Sequence, residues 1–284
     1  MKETAYLLQG TLVVAWWVGL SSNAVFFRAF QFDGISPTAF WAFFLPDVVA
    51  IAMLSFLRAY RQSSVIEHVI LGAFGYATLY CLNATVLTAS GYLPTGLMTL
   101  GLFYNLFLCF DRFTFRESKS VGLPINVAKT LLQIVCIWIL ALVVVPYILL
   151  DAFQALKLPR WTWTVTLGAT SLAGFSLLGL ASSYFMVRDG DGTPLPLDQT
   201  NRLVTSGPYR FVCNPMAIAG IGQGVSLAIV FQSVPLLVYA LLGAVFWHLV
   251  VRPVEEKNLA DRFGQAYLDY RQRVGCWLPK LRRR

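Results

Sequence analysis

The sequence predicts an all-α, polytopic integral membrane protein, with about eight transmembrane helices and a C-terminal amphipathic helix. Three observations predict it. The 284 residues are 57% hydrophobic and only 13% charged, a balance that no soluble domain of this size needs. Apolar runs near the roughly 20 residues required to cross a bilayer recur along the chain. Beyond the last run, apolar side chains continue at helical spacing among charged ones.

The runs lie near residues 8–30, 38–57, 65–87, 93–110, 127–150, 161–187, 215–231 and 234–251. The first is too long, and too rich in Trp and Asn, for a cleaved signal peptide. With the spans evenly spaced, Lys2, Arg58, Arg61, Arg112, Arg116, Lys119, Arg188, Arg202 and Arg210 share a side with the basic tail at 280–284. Only Arg28, Lys157 and Arg160 fall opposite, so both termini and the long polar loops are expected in the cytoplasm. The tail suits anionic lipid headgroups. Topology accounts for the net charge of +8, and no nucleic-acid partner is expected. Five cysteines without a C-x-x-C pair, and two histidines in all, suggest no metal site.

Residues 1–160 form an N-terminal five-span region carrying little chemistry. Asp47, inside the second span, is a candidate functional acid because charge at that depth is costly, and the blander, favoured expectation is pairing with Arg28 or with Asn and Ser groups on neighbouring spans. Glu67 and His68 are expected at an exposed interface, while Asn23, Asn83 and Asn105 can bond between helices. The turn at 157–160 divides the chain, and residues 161–284 carry the functional signals.

Small residues crowd the sixth span, where helix packing is the expected use. Residues 188–196 (Arg-Asp-Gly-Asp-Gly-Thr-Pro-Leu-Pro) read as a non-helical, solvated turn that lacks the closing Glu of a calcium loop. Asn214-Pro215 reads as an N-cap followed by a first-turn proline, which aims free N–H groups at the preceding loop. Gly220 and Gly224 offer a smooth face for a helix or a ligand. Pro253 is expected to end the eighth span and start a surface helix with Glu255 and Glu256 in its first turn. Leu259, Phe263, Tyr267, Tyr270 and Val274 form that helix's apolar stripe, placed along the membrane or over the hairpin of spans seven and eight.

The run Leu203-Val204-Thr205-Ser206-Gly207-x-Tyr209, the step Asn214-Pro215, the pair Glu255-Glu256, Phe263-Gly264-x-x-Tyr267-x-x-Tyr270 and Arg273-Val274 resemble the isoprenylcysteine carboxyl methyltransferase family and the related phospholipid methyltransferases. Gly192-Thr193-Pro194-x-Pro196 resembles bacterial members. The resemblance covers residues 190–281 and implies an integral-membrane methyltransferase region at 161–284 that uses S-adenosylmethionine. It implies a cytosol-facing pocket, in a bacterial inner membrane, roofed by the loop and the C-terminal helix. A lipophilic small-molecule or lipidated substrate, with a carboxylate, amine or thiol acceptor, would enter from the surrounding membrane lipids. Leu203, Val204, Gly207 and Tyr209 would shape the cofactor pocket. Asn214 and Pro215 occupy the family's His-Pro positions beside it. Glu255 or Glu256 would hold the cofactor's polar groups, with Glu256 slightly favoured. Arg273 and Tyr267 would meet substrate or cofactor. This chain departs from the pattern at Cys213, where the family carries Arg, and at Ala217, where it carries Tyr. Other readings are an NADPH-dependent membrane sterol or steroid reductase, with a similar C-terminal helical arrangement, and a non-catalytic homologue or transporter-like protein. The acidic pair argues against binding a dinucleotide's phosphates, and no related half-repeats mark a transporter.

Overall fold

The computed structural model describes residues 2–109, 123–157, 159–193 and 199–280. Among these, seven helices are long and apolar enough to cross a membrane. They are α1 (Lys2–Ser22), α2 (Pro37–Tyr60), α3 (Ser64–Thr88), α4 (Tyr92–Cys109), α5 (Pro124–Ala152), α6 (Trp163–Gly190) and α8 (Val234–Phe263). A shorter apolar helix, α7 (Pro215–Phe231), lies between the last two, and α9 (Gln265–Arg273) follows α8. The described residues contain one isolated parallel bridge, Val212 with Gly275, and no strand. Helices are what a bilayer demands, because each backbone group must be bonded within its own segment. The expected all-helical, polytopic membrane architecture is what the chain adopts.

The chain forms two compact units: Met1–Asp111 with Ile148–Leu156, and Arg112–Tyr147 with Lys157–Arg284. Helix α5 thus gives most of its length to unit 2, whereas the sequence division at residue 160 grouped the whole span with the first four.

Unit 1 is tied by buried polar pairs. The Gln9 amide donates to Ser55 Oγ at 2.8 Å and accepts from Asn105 Nδ2 at 2.7 Å, which links α1, α2 and α4. Two expectations fail here. Glu67 is 6% exposed rather than at an open interface. It accepts from Arg58 Nε at 2.6 Å and from Lys2 Nζ at 3.4 Å, because an enclosed carboxylate must find cations. Asp47 pairs with neither Arg28 nor an Asn or Ser group. Arg28 is exposed and bonds its own helix at the Ala24 carbonyl, whereas the Trp17 indole donates to Asp47 Oδ2 at 3.2 Å.

Unit 2 is built on close helix approach. A Cβ at Gly168 would meet the backbone nitrogen of Val230 at 2.9 Å, and one at Gly222 would meet the Phe175 ring at 2.5 Å. Gly224 faces Ala240 of α8, on the side of α7 opposite to Gly222, and a Cβ at Gly220 would have open space, so close approach uses Gly222 toward α6 and Gly224 toward α8 rather than one Gly220–Gly224 face. Gln223 donates to Ser176 Oγ at 2.9 Å across the α6–α7 contact. Gln232 turns the α7–α8 hairpin with φ +48°, and Ser233 caps the backbone of Leu236.

Three helix boundaries differ from the sequence reading. Helix α6 continues through Arg188, Asp189 and Gly190 before Asp191 ends it at φ +53°, a left-handed cap that Asp tolerates. Pro253 does not end the eighth span. A π-helical stretch, Trp247–Val251, precedes it, and helix continues to Phe263. Wider winding absorbs the missing N–H and the ring clash that proline brings. The amphipathic stretch then breaks at Gly264, with φ +54° and ψ −131°, so its stripe is divided between α8 and α9.

The buried Arg58–Glu67 pair sets a test of unit 1. Glu67→Ala strands Arg58 among apolar neighbours and is expected to cost about 3–5 kcal/mol. Replacing Arg58 and Glu67 together by Leu and Met is expected to cost far less, and thermal melting of the purified protein in detergent compares the two.

Candidate active site

The site grows from the chain that leaves α6. The Gly190 carbonyl accepts the N–H groups of Asn201 at 2.7 Å and Arg202 at 3.0 Å. Asn201 also donates its side-chain amide to the Asp191 carbonyl at 2.9 Å. The loop therefore returns to its starting point, and Leu203 and Val204 continue beside it. Thr193 of the 192–196 motif is buried, while Pro194 and Pro196 lie outside the described residues. Ser206 donates to Asp189, whose carboxylate also takes two bonds from Arg188 at 2.6 and 2.9 Å. Gly207 then adopts φ +57°, with the Phe185 ring 2.2 Å from where a Cβ would stand. Glycine is required there on both counts. A 3-10 turn, Gly207–Arg210, follows and carries Tyr209 inward.

The C-terminal helices close over this loop. Tyr270 donates its hydroxyl to the Tyr209 carbonyl at 2.7 Å. Tyr267, Tyr270 and Val274 form a buried cluster against Leu203, Cys213, Leu259, Ala260 and Phe263. Gly275 accepts the N–H of Cys213 at 2.9 Å, and the Cys213 thiol donates to the Val274 carbonyl at 3.4 Å. Arg262 reaches back to Gln199 Oε1 at 2.9 Å and the Thr200 carbonyl at 2.6 Å.

The two adjacent carboxylates are used differently. Glu256 is held by Arg252 at 2.8 Å and by Arg271 at 2.9 Å, so it pins α9 to α8. Glu255 is half-buried and has no hydrogen bond or ion pair among the described residues. Its carboxylate lies near enough to Tyr209 to add to what burial already does, which is to push the phenol well above its ordinary range. Among the described residues the buried Tyr209 hydroxyl has no partner, and neither has Asn258 Oδ1. Asn258 stands three residues beyond Glu255, on the same helical face. Three polar groups with unspent hydrogen-bonding capacity thus come from the loop and one face of α8.

The remaining expected residues are placed as follows. Pro215 is fully buried at the first turn of α7. Asn214 stands at the cap position but makes no cap bond, because its side chain is engaged with the Cys276 thiol. Tyr267 is 3% exposed within the roof. Arg273 is exposed, and its Nε donates to the Asp269 carbonyl of its own turn. Asn258 and Arg262 were missed by sequence reading, which treated the polar side of this helix as solvated. Their spacing of three and seven residues from Glu255, which keeps all three on one helical face, was the available signal.

Fold and site together define an integral-membrane helical protein with a polar, partly enclosed site at the ends of its last spans. Residues 162–266 match the family model described as phospholipid methyltransferase. This segment contains α6, the loop, α7 and α8, and so bears out the family resemblance read from the motifs. Tyr267, Tyr270 and Arg273 lie beyond the match. No curated protein and no solved structure matches the chain.

Tyr270→Phe tests the join between roof and loop. Loss of the bond to the buried Tyr209 carbonyl is expected to cost about 1–3 kcal/mol. Hydrogen exchange should rise at residues 203–212 and stay unchanged in the α6–α7 contact.

Proposed function

We propose that unit 2 is a methyltransferase that binds S-adenosylmethionine between the 199–214 loop and α8, and methylates a lipophilic acceptor drawn from the bilayer. The observation that carries this reading is the convergence of Glu255, Tyr209 and Asn258, each with bonding capacity left over, inside the segment that matches the phospholipid methyltransferase family.

When bound, S-adenosylmethionine supplies an electrophilic methyl group on a positively charged sulfur. The residues present fit such a group. Glu255 offers an uncompensated carboxylate to a cationic ligand. Asn258 Oδ1 can accept a ligand N–H, and the Tyr209 hydroxyl can donate to a ligand oxygen or nitrogen. The faces of Tyr209 and Tyr267 favour a nearby cation. Methyl transfer is an in-line displacement, so positioning and exclusion of water are the protein's main contributions. The roof of Tyr267, Tyr270 and Phe263 supplies the exclusion. Leu203, Val204 and Gly207 support the site from the loop side, with Asn214 and Pro215 at the start of α7. Arg273, on the outer side of α9, would meet substrate from the surface.

Calorimetry on the full chain in nanodiscs tests the donor site. S-adenosylmethionine and its demethylated product are expected to bind, and NADPH is not. Glu255→Gln is expected to weaken donor binding by about 1.5–3 kcal/mol, roughly ten- to a hundredfold, with ligand-free melting unchanged. Glu256→Gln is expected instead to lower melting, by about 1 kcal/mol, through loss of the part-exposed pairs to Arg252 and Arg271. Full donor affinity in Glu255→Gln would remove the proposed anchor, and binding of NADPH alone would favour the reductase reading.

The same proposal puts the site in the cytoplasm, on the distribution of Lys and Arg. Single cysteines placed at Arg202 and Arg210 in a cysteine-free background should resist an impermeant reagent in intact cells and react in inverted vesicles. Labelling from outside would reverse the orientation. The 112–124 loop assigned to the same side is largely outside the described residues, as is the tail beyond residue 280.

A further inference from the structure

Unit 1 holds a second, partly open site, outside the segment that matches the methyltransferase family. A cavity of about 50 Å³ is walled by Trp16, Trp17, Phe40, Phe43 and Tyr80, with Asp47 among them. Asp47 is 6% exposed and is the one charged side chain in the lining. Its hydrogen bond from the Trp17 indole, at 3.2 Å, leaves the second carboxylate oxygen unbonded among the described residues. Among the described residues no Lys, Arg or His lines the cavity. The nearby sequence offers none that is spare: Arg58 is committed to Glu67, and Arg28 is exposed on its own helix. A carboxylate enclosed in this way must be met by a positive charge or take up a proton.

We propose that this cavity binds a small alkylated ammonium ion. Aromatic faces attract a cation through their negative ring surfaces, and the effect grows when water is excluded. Six aromatic residues, those five with Phe32, stand around one carboxylate and offer both attractions at once. The extent of alkylation follows from the acceptors available. A primary ammonium brings three N–H donors and would find one carboxylate. A quaternary or tertiary ammonium brings none or one, and its methyl groups suit aromatic and aliphatic walls. The size agrees, since about 50 Å³ admits roughly three to five waters, the bulk of about five heavy atoms. The cation can be free or the trimethylammonium tip of a lipid headgroup. This inference does not rest on the methyl-transfer reading.

The test is equilibrium binding of radiolabelled tetramethylammonium to the full chain in nanodiscs of phosphatidylglycerol, a lipid without an ammonium group. Saturable binding is expected, and tert-butanol, a neutral molecule of nearly the same shape, should not compete. Asp47→Asn keeps the size and still accepts from Trp17, and it should lose at least tenfold in affinity. Tyr80→Leu keeps the charge and removes one aromatic wall, and it should lose severalfold even if the Asp47 variant misfolds. Repeating the titration in phosphatidylcholine separates the sources: weaker apparent affinity there marks the lipid headgroup as occupant, and unchanged affinity marks a free cation. Three outcomes would overturn the proposal: no saturable binding to folded protein, undiminished binding in both variants, or equal competition by tert-butanol. S-adenosylmethionine binding measured on the same samples reports separately on unit 2.

Discussion

The hydroxyl of Tyr270, donated to the backbone carbonyl of Tyr209, joins two stretches that lie 61 residues apart. One is a loop with little regular structure of its own, and the other is a short polar helix that could not stand alone in water. Each becomes ordered through the other. The bond fixes the height of the 3-10 turn, the turn carries Tyr209 beneath α8, and the phenol then stands near Glu255. Around the bond, Tyr267, Val274 and Leu203 exclude water, which raises the cost of breaking it. The polar convergence in unit 2 follows from that arrangement rather than from any strong pairing among the convergent groups themselves.

Membrane class and the roofing of the loop by the C-terminal stretch were legible because they depend on hydropathy and on helical spacing; of about eight expected spans, seven are long and apolar enough to cross, and the seventh expected one is the shorter α7. The stripe of Leu259, Phe263, Tyr267, Tyr270 and Val274 is real, and its members meet although Gly264 divides the helix. What could not be read was partner choice. Asp47 was expected to meet Arg28 or an Asn or Ser group, but an indole N–H was the group that packing brought near. Glu67 stands at a span end, where exposure is the usual outcome, yet Arg58 and Lys2 converge on it from α2 and α1. Asn214 has the right type and place for a cap, and its side chain serves Cys276 instead. In each case the decisive neighbour is remote in sequence, and composition carries no record of it.

The two units solve the problem of polar groups in apolar surroundings in different ways. In unit 1, Gln9, Ser55 and Asn105 bond to one another, as Arg58 does to Glu67, and these bonds fasten the helices together. Asp47 is held by a single indole N–H and borders a cavity. In unit 2 the helices approach through glycine, and the buried groups without a partner among the described residues include Tyr209 and Asn258, near Glu255, as well as Asn126, Thr130 and Gln133 Oε1 on α5.

The π-helical stretch at Trp247–Val251 has a consequence for the acidic pair beyond accommodating Pro253. Each residue added to or removed from a helix rotates everything downstream by about 100°. The local winding upstream therefore acts as a phase setting that decides which of two identical carboxylates turns toward Tyr209 and which toward Arg271. A single-residue deletion within that stretch would rotate Glu256 toward the place that Glu255 now holds, without changing either residue. Among homologous chains, then, the equivalent acid is found by counting from the winding defect and not from the Glu-Glu motif, and alignment of the motif alone can pair residues that do different work.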